Sequence, residues 1–185
     1  MAKSEQTNPT PASSALSLTL AGGGASPHRL QSLLSGQPFF RELDPVSIGL
    51  LASLAMETRF EPGQFIFQKG DPANRFYLIQ EGEISMEIES QDKRMIPIRK
   101  VGPGEDLGWS WMFACSYFHA TARVTKPTKA IFFYGTILRQ QCEDDHQFGY
   151  EMMKRVATAA IHSLNAFHQT IVQSPGAQIA LRGNP

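Results

Sequence analysis

A chain of 185 residues, 42% of them hydrophobic, has the length and apolar content for one medium domain with a real core plus tails. Its 17 Lys and Arg balance 17 Asp and Glu, so it lacks the basic surplus of a dedicated nucleic-acid binder. No apolar run approaches the roughly 18 residues of a membrane span, and two cysteines, Cys115 and Cys142, make neither a disulfide framework nor the four thiolates of an ordinary iron–sulfur cluster. A cytoplasmic location is the default expectation.

Residues 1–36 are rich in Ser, Thr, Pro, Ala and Gly and include Gly22-Gly23-Gly24, which reads as a flexible arm with a short helix over His28–Leu34 inside it. The patch Ala15–Ala21 is too short and too weakly charged at its flank for a secretory signal. Asp44-Pro45 opens a helix, with Asp as N-cap and Pro at the first helical position, and Val46, Leu50, Leu51 and Leu54 form its stripe. Strands are then expected at Thr58–Phe60, Phe65–Phe67, Phe76–Gln80, Glu83–Ser90, Arg94–Val101, Ala120–Lys126 and Ala130–Tyr134, separated by glycine and proline turns. Ile84, Met86 and Ile88 alternate with Ser85, Glu87 and Glu89, the pattern of a half-buried strand. Short strands at this spacing imply a barrel, roll or sandwich.

After Thr136 the period becomes helical. Phe148, Met152, Val156, Ala159 or Ala160, Leu164, Phe167 and Ile171 form one seam on a helix about 40 Å long, ended by Ser174-Pro175-Gly176. A small β body offers no flank of that length, so a dimer interface of Met152, Val156, Ala160, Leu164, Phe167 and Ile171 is preferred over packing on the chain's own strands. Phe167→Asp is then expected to break the dimer. The domain plan is an arm over 1–36, a β body with its leading helix over 37–140, the long helix over 141–174 and a tail over 175–185.

The run Gly63-Gln64-Phe65-Ile66-Phe67-Gln68-Lys69-Gly70-Asp71-Pro72, followed by Phe76-Tyr77-Leu78-Ile79 and Gly82-Glu83, resembles the cyclic-nucleotide-binding domain, the β-roll effector domain of CRP/FNR regulators and of cyclic-nucleotide-gated kinases and channels. Gly63, Gly70, Gly82, Gly104 and Gly108 fall where that family places tight turns and bulges. The resemblance covers roughly Phe39–Ile171. It implies a mainly β fold with flanking helices, a jelly-roll-like β-roll followed by a long C-terminal dimerisation helix.

The resemblance also implies a ligand cassette beginning at Gly104-Glu105-Asp106-Leu107-Gly108. Where the family places the Glu that holds the ribose hydroxyl, this chain has Trp109, and where it places the phosphate-binding Arg it has His119, followed by Ala120-Thr121. Losing both anchors makes cAMP a doubtful ligand. Candidate replacements are Arg123, two strand steps beyond Thr121 on the face of His119, and the backbone N–H groups near Gly108 and Ser110. Trp109 and Trp111 are candidates for stacking on a nucleobase or nicotinamide ring, or for packing in the core or a lid.

No nucleophile–base arrangement, phosphate loop or complete metal-ligand set is visible. Cys115 with His119, and His162 with His168, are each two ligands at most, and the acidic run Glu143-Asp144-Asp145 reads as a helix start. The chain is expected not to be an enzyme and to need no cofactor. Two functions remain open. One is a regulatory module that binds a nucleotide or related small anion and signals to a separate partner. The other is a dimeric accessory subunit whose pocket has degenerated or holds a nicotinamide nucleotide; in general style it resembles the small extra subunit of NAD-reducing nickel–iron hydrogenases. Direct transcriptional regulation is disfavoured by the neutral charge and the lack of room for a helix-turn-helix after Pro175, and neither nucleic acid nor membrane is an expected partner.

Overall fold

The computed structural model describes residues 27–90, 93–114 and 116–173. Helix α1 (Pro27–Ser35) and helix α2 (Pro45–Leu54) lead into strands β1 (Met56–Phe60), β2 (Phe65–Phe67), β3 (Arg75–Glu89), β4 (Met95–Val101), β5 (Asp106–Leu107) and β6 (Thr121–Tyr134), and helices α3 (Gly135–Asp144) and α4 (His146–Gln173) follow. All pairings are antiparallel, in the order β1-β6-β3-β4, with β2 paired to β6 and β5 to β3.

Two core regions share the β3–β6 ribbon as a wall. Side chains alternate across a strand, so Phe76 and Leu78 with Ile131 and Phe133 face the helices, where they meet Leu34, Leu51, Trp111, Leu138 and Met152. Their neighbours Tyr77 and Ile79, with Ala130 and Phe132, face the interior of the roll. The sequence-based break at Glu81-Gly82 is a bulge inside one 15-residue strand rather than a turn between two. Gly82 has φ +102, and a Cβ there would run into Thr128 and the Pro127 carbonyl, so β3 and β6 approach each other closely at that point. All five glycines that the family pattern singles out adopt positive φ, between +84 and +102.

The ordered body begins earlier than the expected arm boundary at 36. Leu30 and Leu34 of α1 are buried against the helix-side core, an apolar pair four residues apart that the Ser-rich composition obscured. Asp44 caps α2 as expected: its carboxylate accepts from the Val46 and Ser47 N–H groups at 2.9 and 3.0 Å, and the Ser47 bonds hold its pKa below the usual carboxylate range. Asp44→Ala should lower the melting temperature by roughly 2–4 °C at neutral pH. The loss should shrink as pH falls through the depressed pKa, because protonation removes the charged cap from the parent as well; calorimetry at several pH values checks both statements.

The C-terminal helical stretch begins at Gly135 rather than 141 and is broken once. Of the acidic run, Glu143 and Asp144 close α3, while Asp145 caps α4 by accepting from Gln147 and Phe148 N–H. The proposed dimer seam needs correction over its first half. Met152 and Val156 are buried by the chain's own elements, between the helix-side face of the ribbon and the leading helices, and are not free to meet a second copy. The flank that seemed missing is supplied by two short 3-10 turns, at Pro38–Phe40 and Trp109–Met112, and by β4, all of which α4 contacts. Of the remaining seam residues, Leu164 is exposed, Ala160 and Phe167 are half-buried, and the side chain of Ile171 lies outside the described residues, as do Cys115 and the 175–185 tail.

Candidate functional site

A cavity of about 820 Å³ lies between the roll and the C-terminal half of α4. Its β walls are Met86 and Ile88 of β3 and Ile98 and Arg99 of β4. One end is built by Leu107, Gly108, Trp109 and Ser110, and another by the segment that enters β6, with Ser116, Phe118, His119 and Ala120. Helix α4 closes it with Ala160, Ser163, Leu164 and Phe167.

Local backbone bonds fix these walls. Phe118 exchanges bonds with the turn ahead of β3: its N–H donates to the Asp71 carbonyl at 2.9 Å and its carbonyl accepts from Gly70 N–H at 2.8 Å. The Phe118 ring stacks on Phe67 with centroids 3.6 Å apart. Gly108, at φ +89, passes so close to β3 that a Cβ would lie 2.6 Å from the Arg75 carbonyl oxygen. That conformation turns the chain directly into the 3-10 turn carrying Trp109 and Trp111.

Among the sequence-predicted ligand residues, Gly108, Trp109, Ser110, His119 and Ala120 converge on this cavity. Gly104 and Glu105 do not; they line a neighbouring cleft of about 550 Å³ together with Arg41, Lys154, Arg155 and His162. Thr121 and Arg123 lie elsewhere. Thr121 is buried and accepts from Lys69 N–H at 3.2 Å. Arg123 pairs with Glu87, donating through Nε at 3.0 Å and Nη2 at 2.6 Å to a carboxylate only 2% exposed. This bond pulls Glu87 below the usual carboxylate range and pushes Arg123 up. The inward residues of β6 here are Ala122 and Val124, so the pleat carries Thr121 and Arg123 to the opposite face.

The two tryptophans separate. Trp111 is fully buried in the helix-side core, with its carbonyl accepting from Arg139. Trp109 is half-buried, borders the cavity and rests on the same core.

Sequence reasoning missed Arg99, which lines both clefts together with Asp106 of the expected cassette. Met86 pairs with Arg99 and Glu87 pairs with Pro97, which leaves Ile98 as an extra residue opposite no partner. Such a bulge re-aims side chains, and it lets the consecutive residues Ile98 and Arg99 both border the cavity. The available signal was Pro97, since a proline within a strand marks an edge or a bulge. The bulge also fastens α4, because Thr170 Oγ1 donates to the Ile98 carbonyl at 2.6 Å. Burial pushes the Asp106 carboxyl above its ordinary value, partly opposed by the Arg99 charge. Burial likewise pushes the Cys142 thiol up to about 11, which removes it as a nucleophile at neutral pH.

A profile of the cyclic nucleotide-binding domain matches residues 57–145, from β1 to the break between α3 and α4. A solved structure of a proposed cyclic nucleotide-binding protein from Geobacter metallireducens GS-15 is similar at 27% identity and a TM-score of 0.64, over 76% of this chain and 98% of that one. A proposed potassium channel protein of Rhodopseudomonas palustris is 28% identical over 109 residues, which cover 58% of this chain and 26% of the channel protein. A cGMP-dependent protein kinase of Plasmodium berghei is 34% identical over 78 residues, which cover 42% of this chain and 8% of the kinase. The chain thus spans about a quarter or less of the length of these two relatives. No helix among the described residues is long and apolar enough to cross a membrane. Profile, fold and glycine geometry agree, and residues 57–145 belong to the cyclic nucleotide-binding domain family, built as its β-roll.

Proposed function

We propose that this chain is a regulatory ligand-binding module in which a small molecule occupies the cavity between the roll and α4, and α4 carries the occupied state outward to a separate partner. One observation carries this reading: a cavity of about 820 Å³, in the size range of small-molecule sites, has one wall made by the helix that leaves the roll. A ligand there touches Ala160, Ser163 and Phe167, so binding and helix position are linked. Ordinary cAMP recognition is not part of the proposal. His119 and Trp109 stand at the family's two anchor positions, and Arg123, the nearest basic substitute, is held by Glu87.

The test is a thermal-shift panel with cAMP, cGMP, cyclic dinucleotides, ATP, NADH, NADPH and small apolar acids, run on the parent and on Ala160→Trp, which fills the cavity. A ligand present at 100 times its Kd should stabilise the parent by about 2.7 kcal/mol. The expected result is a shift with at least one compound that disappears in Ala160→Trp. A shift of equal size in both proteins, or none in the parent with any compound, would remove this reading.

A second reading, a dimeric or accessory-subunit role, is supported by two exposed apolar side chains of α4 at the border of the cavity, Ile161 at 57% and Leu164 at 66% exposure. An apolar pair of this kind is suited to contact with a second copy or another protein. Sedimentation of the parent against Leu164→Asp separates the two ideas: a dimer that dissociates in the variant supports the reading, and identical sedimentation opposes it.

A further inference from the structure

Resting on the reading of the cavity as a ligand site, we propose that its ligand is a monocarboxylate with an apolar body, and that Arg99 receives the carboxylate.

The wall chemistry sets the body of the ligand. Phe67, Met86, Ile88, Ile98, Phe118 and Phe167 surround most of the space. A ribose and a phosphodiester placed against these carbons would lose hydration without regaining hydrogen bonds. An aryl or medium-chain acyl group loses nothing polar and removes apolar surface from water.

The position of Arg99 sets the head group. It is the sole Arg or Lys among the described residues of this wall, and the bulge at Ile98 places it there. Its side chain is 20% exposed, yet its contacts are long: Nη1 lies 3.4 Å from Ser163 Oγ, and Nη2 lies 3.5 Å from the Asp106 carbonyl oxygen and 3.8 Å from Glu105 Oε1. Well-formed bonds of this type are about 2.7–2.9 Å when charge-assisted. A guanidinium that is mostly buried and loosely partnered has donor capacity left for an anion, and its planar fork matches a carboxylate with two parallel bonds.

The neighbouring acids limit that anion to one charge. Glu105 is partly occupied, since its Oε2 accepts from Gly102 N–H at 2.7 Å, and burial favours the neutral form of Asp106. With the Glu105 carboxylate 3.8 Å away already offsetting part of its charge, Arg99 suits a monoanion and disfavours a phosphate-monoester dianion. Ser163 ties the site to the response. A carboxylate on Arg99 competes with the 3.4 Å contact to α4, at the helix already fastened to β4 by Thr170.

The experiment is calorimetric titration of the full chain with octanoate and 4-phenylbutyrate, each against its neutral amide, and with cAMP for comparison. The parent, Arg99→Met, Arg99→Lys and Ala160→Trp are titrated in parallel. The parent should bind at least one acid tenfold or more tighter than its amide. Arg99→Met should erase that preference with amide affinity unchanged, Arg99→Lys should keep part of it, and Ala160→Trp should lose both compounds. Equal binding of acid and amide by the parent would overturn the role of Arg99 and leave the cavity reading standing. So would cAMP binding without carboxylate binding. Loss of acid and amide together in Arg99→Met would show a structural role and overturn the proposal, and silence from every compound would overturn the carboxylate proposal while the wider thermal-shift panel decides the cavity reading.

Discussion

Met152→Asp should abolish stable folding, whereas Leu164→Asp should leave the melting temperature within about 1–2 °C of the parent. Met152 has no exposed surface and belongs to the helix-side core. An aspartate there loses the methionine's transfer energy and places a carboxyl group without a partner in an apolar core. Truncating a buried methionine alone costs about 2–5 kcal/mol, and an unpaired buried polar group adds about 1–3 kcal/mol more. That total takes up much of a typical domain's 5–15 kcal/mol. Leu164, three turns further on, is 66% exposed and gives up little on substitution. Urea denaturation of both variants measures the contrast. If α4 were held by a second copy along its whole seam, the two substitutions would instead have similar and concentration-dependent effects.

Arg123→Met should cost about 2 kcal/mol of stability at pH 7 and leave ligand affinity unchanged. Removing one member of a buried pair ordinarily costs about 3–5 kcal/mol. The figure is discounted because the Arg123 side chain is 44% exposed, so water can reach part of the space it leaves beside Glu87. The sign of the pH dependence is fixed by the Glu87 pKa, which the Arg123 bonds hold below its ordinary value. The folded state binds this proton less readily than the unfolded chain does. The pair's contribution is therefore complete above the unfolded pKa of about 4.3 and is lost as pH falls through the depressed folded value. Parent and variant should converge in acid, and Glu87→Gln combined with Arg123→Met should recover part of the loss at pH 7. An Arg123→Met protein that is fully stable but no longer binds ligand would restore Arg123 to the site.

Legibility in the sequence followed the range of the interactions involved. Gly63, Gly70, Gly82, Gly104 and Gly108 answer to backbone conformation at a single residue, and all five have the positive φ that their spacing implied. Asp44 and Asp145 act on N–H groups two or three residues away, which a sequence displays directly. The strand alternation gave the roll but not its continuity: Glu81-Gly82 and Lys126-Pro127 look like turns, yet both sit inside long paired strands because bulges absorb them.

The site was harder to read because it depends on parity. His119 and Ala120 precede β6 and reach the cavity through the Phe118 segment, whereas the pleat starting at Thr121 sends Ala122 and Val124 inward and Arg123 outward. Arg99 faces the cavity only because Ile98 bulges, and the partner of Arg123 lies 36 residues away in sequence. Pairing at that distance has no local trace.

The ribbon shared by the two cores has a consequence for how such a domain diversifies. One face of β3 and β6 anchors the helices, and the other faces the roll interior from which the cavity opens. Residues of the helix-side core and most residues that line the cavity thereby lie on different sides of the ribbon, with Trp109 touching both. Drift at Met86, Ile88, Ile98 or Ala120 changes the shape and lining of the cavity without touching Phe76, Ile131 or Met152. A domain built this way can change the chemistry of its cavity by a few substitutions without passing through unfolded intermediates.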